Sequence, residues 1–267
     1  MKKATLFLLL FTLTALTAQA GIIVLNGLSH QHTLRAGQSG KGQLVLRNTG
    51  DQSETVKLYA RDYLFDPSGQ SYFPEPGHHD RSNSAWISLE TTNVVLEPGA
   101  EKAINYQIDV PDSVQWTGTY WSVIMIEGLG QLDPEDLMNK GFQVNTQVRY
   151  AVQLITHAGE TGSRKMEFVD YQLQQRDSVR YVDLLLRNTG ERLLLPALKM
   201  EAYDEQGELA QTINLRKRKL YPGTTLRFSI PLRALSTGTY QGLILADCGN
   251  DGVFGANVNF EIPAHLE

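Results

Sequence analysis

Apolar and polar residues alternate most cleanly between Gly141 and Thr156, GFQVNTQVRYAVQLIT. Phe142, Val144, Thr146, Val148, Tyr150, Val152 and Leu154 occupy every second position, with Gln143, Asn145, Gln147, Arg149 and Gln153 between them. A period of two predicts one long strand with a single buried face. Ile104, Tyr106, Ile108 and Val110 alternate in the same way, as do Leu226, Phe228 and Ile230. Tyr120 to Ile126 and Tyr240 to Ala246 are apolar on both parities, which predicts central strands covered on both faces. Nowhere does a helical period persist, and Leu132 to Asn139 is the one short helical turn expected.

The pattern occurs twice. Leu46-Arg47-Asn48-Thr49-Gly50 returns as Leu186-Arg187-Asn188-Thr189-Gly190, Leu96-Glu97-Pro98-Gly99 as Leu220-Tyr221-Pro222-Gly223, and Gly118-Thr119-Tyr120 as Gly238-Thr239-Tyr240. A repeated order of strand, turn and strand predicts two related domains. In each copy a strand runs into the Asn-Thr-Gly turn (Gln43 to Arg47; Tyr181 to Arg187) and another follows (Thr55 to Tyr63; Ala197 to Tyr203). A polar turn then closes it, Asp66 to Gly69 or Asp204 to Gly207. Short strands with frequent turns and no helices point to an all-β chain of two tandem immunoglobulin-like antiparallel sandwiches. Tyr120 and Tyr240, each following Gly-Thr at the start of a late strand, suit a tyrosine corner. The polar stretch Ala158 to Arg164 separates a domain over 21–157 from one over 165–263.

The first twenty residues carry Lys2 and Lys3, an apolar run from Leu6 to Leu16 and the small-x-small triplet Ala18-Gln19-Ala20, the pattern of a secretory signal peptide cut near Ala20. The remaining 247 residues hold 22 basic and 29 acidic side chains, a net charge of −7. Such a surface speaks against nucleic acid and anionic membranes as partners. No later run is apolar enough to insert in a membrane, so an exported soluble product is expected. A lone cysteine, Cys248, leaves both domains to hold together by their apolar cores.

Candidate chemistry is sparse. There is no Gly-x-Ser-x-Gly, phosphate loop or His-Glu-x-x-His, so no enzyme and no cofactor is expected. His78-His79-Asp80 holds metal-ligand types, but adjacent histidines do not readily face one ion from an extended backbone. His30 and His32 share a strand face and suit chelation at i, i+2, with solvent exposure as the simpler reading. Asp247 to Gly252 reads as a tight turn or a calcium loop, and Arg216 to Lys219 as a solvated basic run or a contact for an acidic partner. Cys248 reads as inert.

Val110-Pro111, then Gly118-Thr119-Tyr120-Trp121-Ser122-Val123, then Val148-Arg149-Tyr150-Ala151-Val152 on a long strand resemble the PapD-like periplasmic chaperones of chaperone/usher pilus assembly. The resemblance implies a periplasmic protein that holds unfinished pilin-like subunits by β-strand addition along 141–156, with an outer-membrane usher as a further partner. It also implies subunit-binding residues: Phe142, Val144 and Thr146 as donors, Val148 beside them, and Arg149 as anchor for the subunit's terminal carboxylate. The family's second anchoring Arg has no match in Ile22 to His30. The alternative is a structural or adhesive Ig-like envelope module that binds protein or glycan through loops. It would cover the long strand and expose aromatics such as Trp116, Trp121 or Tyr72.

Overall fold

The computed structural model describes residues 21–112, 116–129, 148–177, 179–233 and 235–263. The expected signal peptide, the helical turn at Leu132 to Asn139, and Phe142, Val144 and Thr146 lie outside the described residues.

Among the described residues eleven strands precede residue 159: β1 (Ile22–Val24), β2 (Ser29–Leu34), β3 (Ser39–Asn48), β4 (Glu54–Arg61), β5 (Leu64–Phe65), β6 (Ser71–Tyr72), β7 (Ile87–Leu89), β8 (Asn93–Leu96), β9 (Glu101–Asp109), β10 (Thr119–Leu129) and β11 (Arg149–Ala158). One sheet runs β1-β3-β9-β7 and the facing sheet β2-β11-β10-β4-β8, while β5 and β6 form a separate hairpin. Seven strands follow: β12 (Met166–Arg176), β13 (Val179–Asn188), β14 (Ala197–Tyr203), β15 (Leu209–Asn214), β16 (Thr225–Pro231), β17 (Gly238–Asp247) and β18 (Val253–Ile262). They build sheets β12-β13-β16 and β15-β14-β17-β18. Each pair of sheets encloses its own core, one centred on Leu44, Leu58, Ile104, Ile124 and Leu154, the other on Leu184, Met200, Phe228, Ile244 and Phe260. The chain is therefore all-β, two sandwiches in tandem that are antiparallel except where β2 pairs with β11 in parallel.

The repeated motif has a physical reason. Asn48 is fully buried, and its amide donates to the carbonyls of Gln52 and Leu96 while its own Oδ1 accepts from Gly50 N. Asn188 makes the same set, to Arg192 and Leu220 and from Gly190. In both copies the Pro-Gly turn returns a bond to that asparagine, from Gly99 N or Gly223 N to its carbonyl. Leu-Arg-Asn-Thr-Gly and Pro-Gly are two halves of one bolt, and a buried amide so completely satisfied rigidifies its surroundings.

Two expectations change. β17 alternates buried and half-exposed positions along its length, so it is covered on one face only, unlike β10. In β10 the outward residue Trp121 is buried because the second sandwich packs on it, and β17 has no such neighbour on its outer face. Of the two corner tyrosines, Tyr240 bonds back to the carbonyl of Ser236 at 3.1 Å. Tyr120 instead joins Trp86 and Trp116 in an aromatic group with the Arg81 guanidinium over its ring.

The two sandwiches meet over Trp121, Ile155, Leu193 and Tyr221, with Tyr63 and Phe65 packed against them. Trp121 and Tyr221 rings lie 4.7 Å apart, and the indole N–H donates to the carbonyl of Tyr63. Main-chain bonds also cross: Thr119 N to Glu191 O at 2.8 Å, and Arg227 N to Pro67 O, in the loop between β5 and β6, at 2.7 Å.

A candidate strand-accepting edge and its cation

β11 pairs with β10 along Arg149 to His157, but its other neighbour, β2, begins only at Gln153. The first bond of that parallel ladder is Gln153 N to Leu28 O at 3.0 Å. Main-chain groups alternate sides along a strand, so those of Arg149 and Ala151 point the same way as Gln153's. Among the described residues no strand meets them. The strand expected over Gly141 to Thr156 is thus seen from Arg149 and reaches Ala158, paired with β2 from Gln153 onward and, among the described residues, with no second neighbour before it. Val148, just before it, is 46% exposed, and Leu28, just beyond the open stretch, 47%. Val152 and Leu154 point into the first core, as their parity predicts.

Arg149 lies on this edge with its side chain 55% exposed. Its guanidinium is engaged by Glu127 at 2.6 Å, and Glu127 also accepts the Tyr59 hydroxyl at 2.8 Å. Tyr59 and Arg149 hold the Glu127 carboxyl below the usual range, so it stays ionised as their partner.

The second cation is one that sequence spacing does not single out as a site. Lys219 reaches from the second sandwich to the point where β2 begins, its ammonium 2.5 Å from Ser29 Oγ and in contact with Gln153 Oε1. The Tyr221 hydroxyl donates to the same Gln153 oxygen at 2.9 Å. Among the described residues no carboxylate pairs with Lys219, and burial alone pulls its ammonium down to about 8. The sequence groups it with Arg216 to Arg218 as a solvated run. A signal exists all the same: where the first repeat has Leu96-Glu97, the second has Leu220-Tyr221, and that aromatic replacing a charge marks the surface that packs on the neighbouring domain. Tyr221 is 1% exposed, and Lys219 is carried in beside it.

The remaining candidates are structural. The His78 ring bonds the carbonyl of Glu75 and His79 stacks on Trp121 at 4.6 Å, so the two imidazoles serve different neighbours. At Asp247 to Gly252, Asp247 accepts from Gly249 N and Asp251 pairs with Arg164, the behaviour of a tight turn. Cys248 is buried, which pushes its thiol up to about 11 and leaves it protonated. Trp116 and Trp121 are 8% and 3% exposed. No helix among the described residues is long and apolar enough to cross a membrane.

No protein-family model and no curated protein matches the sequence. Solved structures with a similar course include a chain of the chaperone–tip adhesin complex of CFA/I fimbriae biogenesis, with 12% identity over 92% of this chain and 100% of that one at a TM-score of 0.47. The class 5 fimbriae chaperone CfaA is similar at 11% identity over 91% and 100%, TM-score 0.47. The E. coli chaperone DraB is similar at 13% over 92% and 97%, TM-score 0.44. At that similarity the neighbours carry no functional assignment.

Proposed function

We propose that this chain is an exported, periplasmic chaperone of the pilus-assembly type, which holds an unfinished subunit by adding the subunit's strand to the open edge of β11. The observation that carries the reading is the abrupt start of β2: among the described residues, the main-chain groups of Arg149 and Ala151 upstream of Gln153 have no strand partner, and the cation where the cover begins, Lys219, has no carboxylate partner. A subunit strand running parallel to β11 would be collinear with β2 and would end beside Ser29. Its terminal carboxylate then meets Lys219. An antiparallel strand would bring its amino terminus there, ammonium against ammonium, so the charge selects direction as well as affinity.

Arg149 stands four residues before Gln153, roughly 13 Å along the strand. With Glu127 already on its guanidinium, it braces the edge, and Lys219 takes the anchoring part that the resemblance suggested for Arg149. Val148, and with it Phe142, Val144 and Thr146 upstream, supply the apolar row for the subunit's groove. Of the aromatics the adhesive alternative would expose, Trp116 and Trp121 are spent on the core and the domain interface, whereas Tyr72 is 45% exposed on the β5–β6 hairpin.

The test is co-expression with a panel of fimbrial pilin-type subunits. The wild-type chain should recover a subunit and Ala151→Pro should not. Ala151 N–H faces the open side, so proline there removes a donor for the client without touching the β10 ladder. Capture of no subunit across the panel, or undiminished capture by Ala151→Pro, contradicts the proposal.

A further inference from the structure

His30 and His32 are not solvent-facing. Both lie on the inward face of β2 with Leu34, half-buried at the seam between β2 and β3, and both converge on one atom. His30 Nδ1 and His32 Nε2 are each 3.0 Å from the Tyr106 hydroxyl oxygen, which reaches across from β9. Space for the cluster comes from two glycines on the inward face of β3. A Cβ at Gly42 would collide with the Tyr106 ring and hydroxyl, and one at Gly40 would press on His32 Nδ1 at 3.3 Å.

We propose that His30 Nδ1, His32 Nε2 and the Tyr106 oxygen form a binding site for one divalent first-row metal ion, copper(II) in preference to zinc(II), with water completing the coordination. The geometry is close to that required. With bonds of about 2.0 Å, neighbouring donors are about 2.8 Å apart in a tetragonal copper(II) site and about 3.3 Å apart in a tetrahedral one. The two nitrogen-to-oxygen separations of 3.0 Å fall between these edges. Imidazoles two apart on one strand face converge without backbone strain. The outer arrangement also fits. His30 Nε2 lies 3.3 Å from the carbonyl of Asn26, which can only accept. Nε2 therefore carries the proton and Nδ1 offers its lone pair inward, the outer N–H held by a carbonyl as is usual for metal-bound histidines. The Tyr106 hydroxyl then donates to His30 Nδ1 and accepts from His32 Nε2–H.

On binding the ion the phenol would release its proton to water as the metal–oxygen bond forms, and His32 would exchange its Nε2 proton for one on Nδ1 through solvent. One proton is released per ion. Copper exceeds zinc in affinity for nitrogen and oxygen donors.

The measurement is titration of the untagged, chelator-washed protein with copper(II) and with zinc(II), by calorimetry and visible absorption. We expect one equivalent bound, a phenolate-to-copper charge-transfer band, and a higher melting temperature, because the ion ties β2 to β9. His30→Gln and His32→Gln should each weaken binding at least tenfold, and Tyr106→Phe, which keeps the packing, should abolish the band. His78→Ala with His79→Ala should leave the stoichiometry, the affinity and the band unchanged. Absence of stoichiometric binding, binding indifferent to His30→Gln and His32→Gln, or copper bound with no tyrosinate band overturns the proposal.

Discussion

Lys219 changes charge close to neutrality. Its ammonium titrates at about 8 because burial strips water from it without supplying an anion. A client carboxylate would restore the charged form, so binding must take up a proton above pH 8. Affinity for a subunit is expected to hold below that value and to fall as pH rises from 7.5 to 9.5, approaching tenfold per unit. Lys219→Met keeps the buried stem and should weaken capture about tenfold while removing this pH dependence; a pH profile unaltered in Lys219→Met contradicts the anchoring role.

Gly118 is constrained from the other side. Its φ is +75°, and a Cβ there would strike the backbone of Glu191 in the second sandwich. Gly118→Ala should therefore cost about 2–3 kcal/mol, read as a lower denaturation midpoint, by prising the domains apart at the Thr119 to Glu191 bond. A midpoint shift below experimental error would contradict the close approach. The glycine is visible in the repeat, but its reason is not, since Gly238 in the second copy has no domain against it.

Among elements, β11 shows how far periodicity reaches. Alternation identifies the strand and the parity of Val152 and Leu154, because half-burial leaves a period of two in any sequence. It cannot reveal which edge is paired: β2 is recruited from more than a hundred residues away, and its short polar sequence, SHQHTL, carries no strand signal strong enough to predict a parallel partner. The same limit hides the histidine cluster. His30 and His32 are legible as one face, whereas Tyr106, which turns them inward, belongs to a strand of the facing sheet. β17 fails differently. Its apolar run mimics β10, yet covering both faces of a strand depends on a neighbour, and among the described residues the interface cluster takes in Trp121 of β10 and no residue of β17. The open edge itself predicts that Ala151→Pro melts within about 1 kcal/mol of wild type, since edge strands tolerate a missing solvent-facing donor. A loss of several kcal/mol would mean that an internal partner occupies that side.

At the scale of the whole molecule, two sandwiches are locked by an aromatic interface and by histidines kept neutral within it. His157 joins Thr119 and Gln31 beside that interface, and burial, with Arg192 nearby, lowers its pKa to about 4. Its ordinary value is 6.5, so between the two the unfolded chain binds a proton that the folded chain refuses. Stability is complete above 6.5, declines as pH falls, and has lost this contribution by about 4. After allowance for the ring's partial exposure, His157 should account for about 1–2 kcal/mol. Thermal melts between pH 7.5 and 4.5 should show the decline, and His157→Gln should flatten it; a melting temperature that rises on acidification contradicts the assignment. His79, lowered by its own burial against Trp121, acts in the same direction.

Strand addition at the β11 edge can be observed directly at single amides. Hydrogen exchange would be followed for Arg149 to Val152 in the free chain and in the chain carrying a co-purified pilin-type subunit. Tyr150 and Val152, which face β10, should be protected in both states, whereas Ala151 should exchange freely alone and slow by at least a hundredfold in the complex. A subunit that binds tightly while Ala151 exchanges as fast as before would contradict the account.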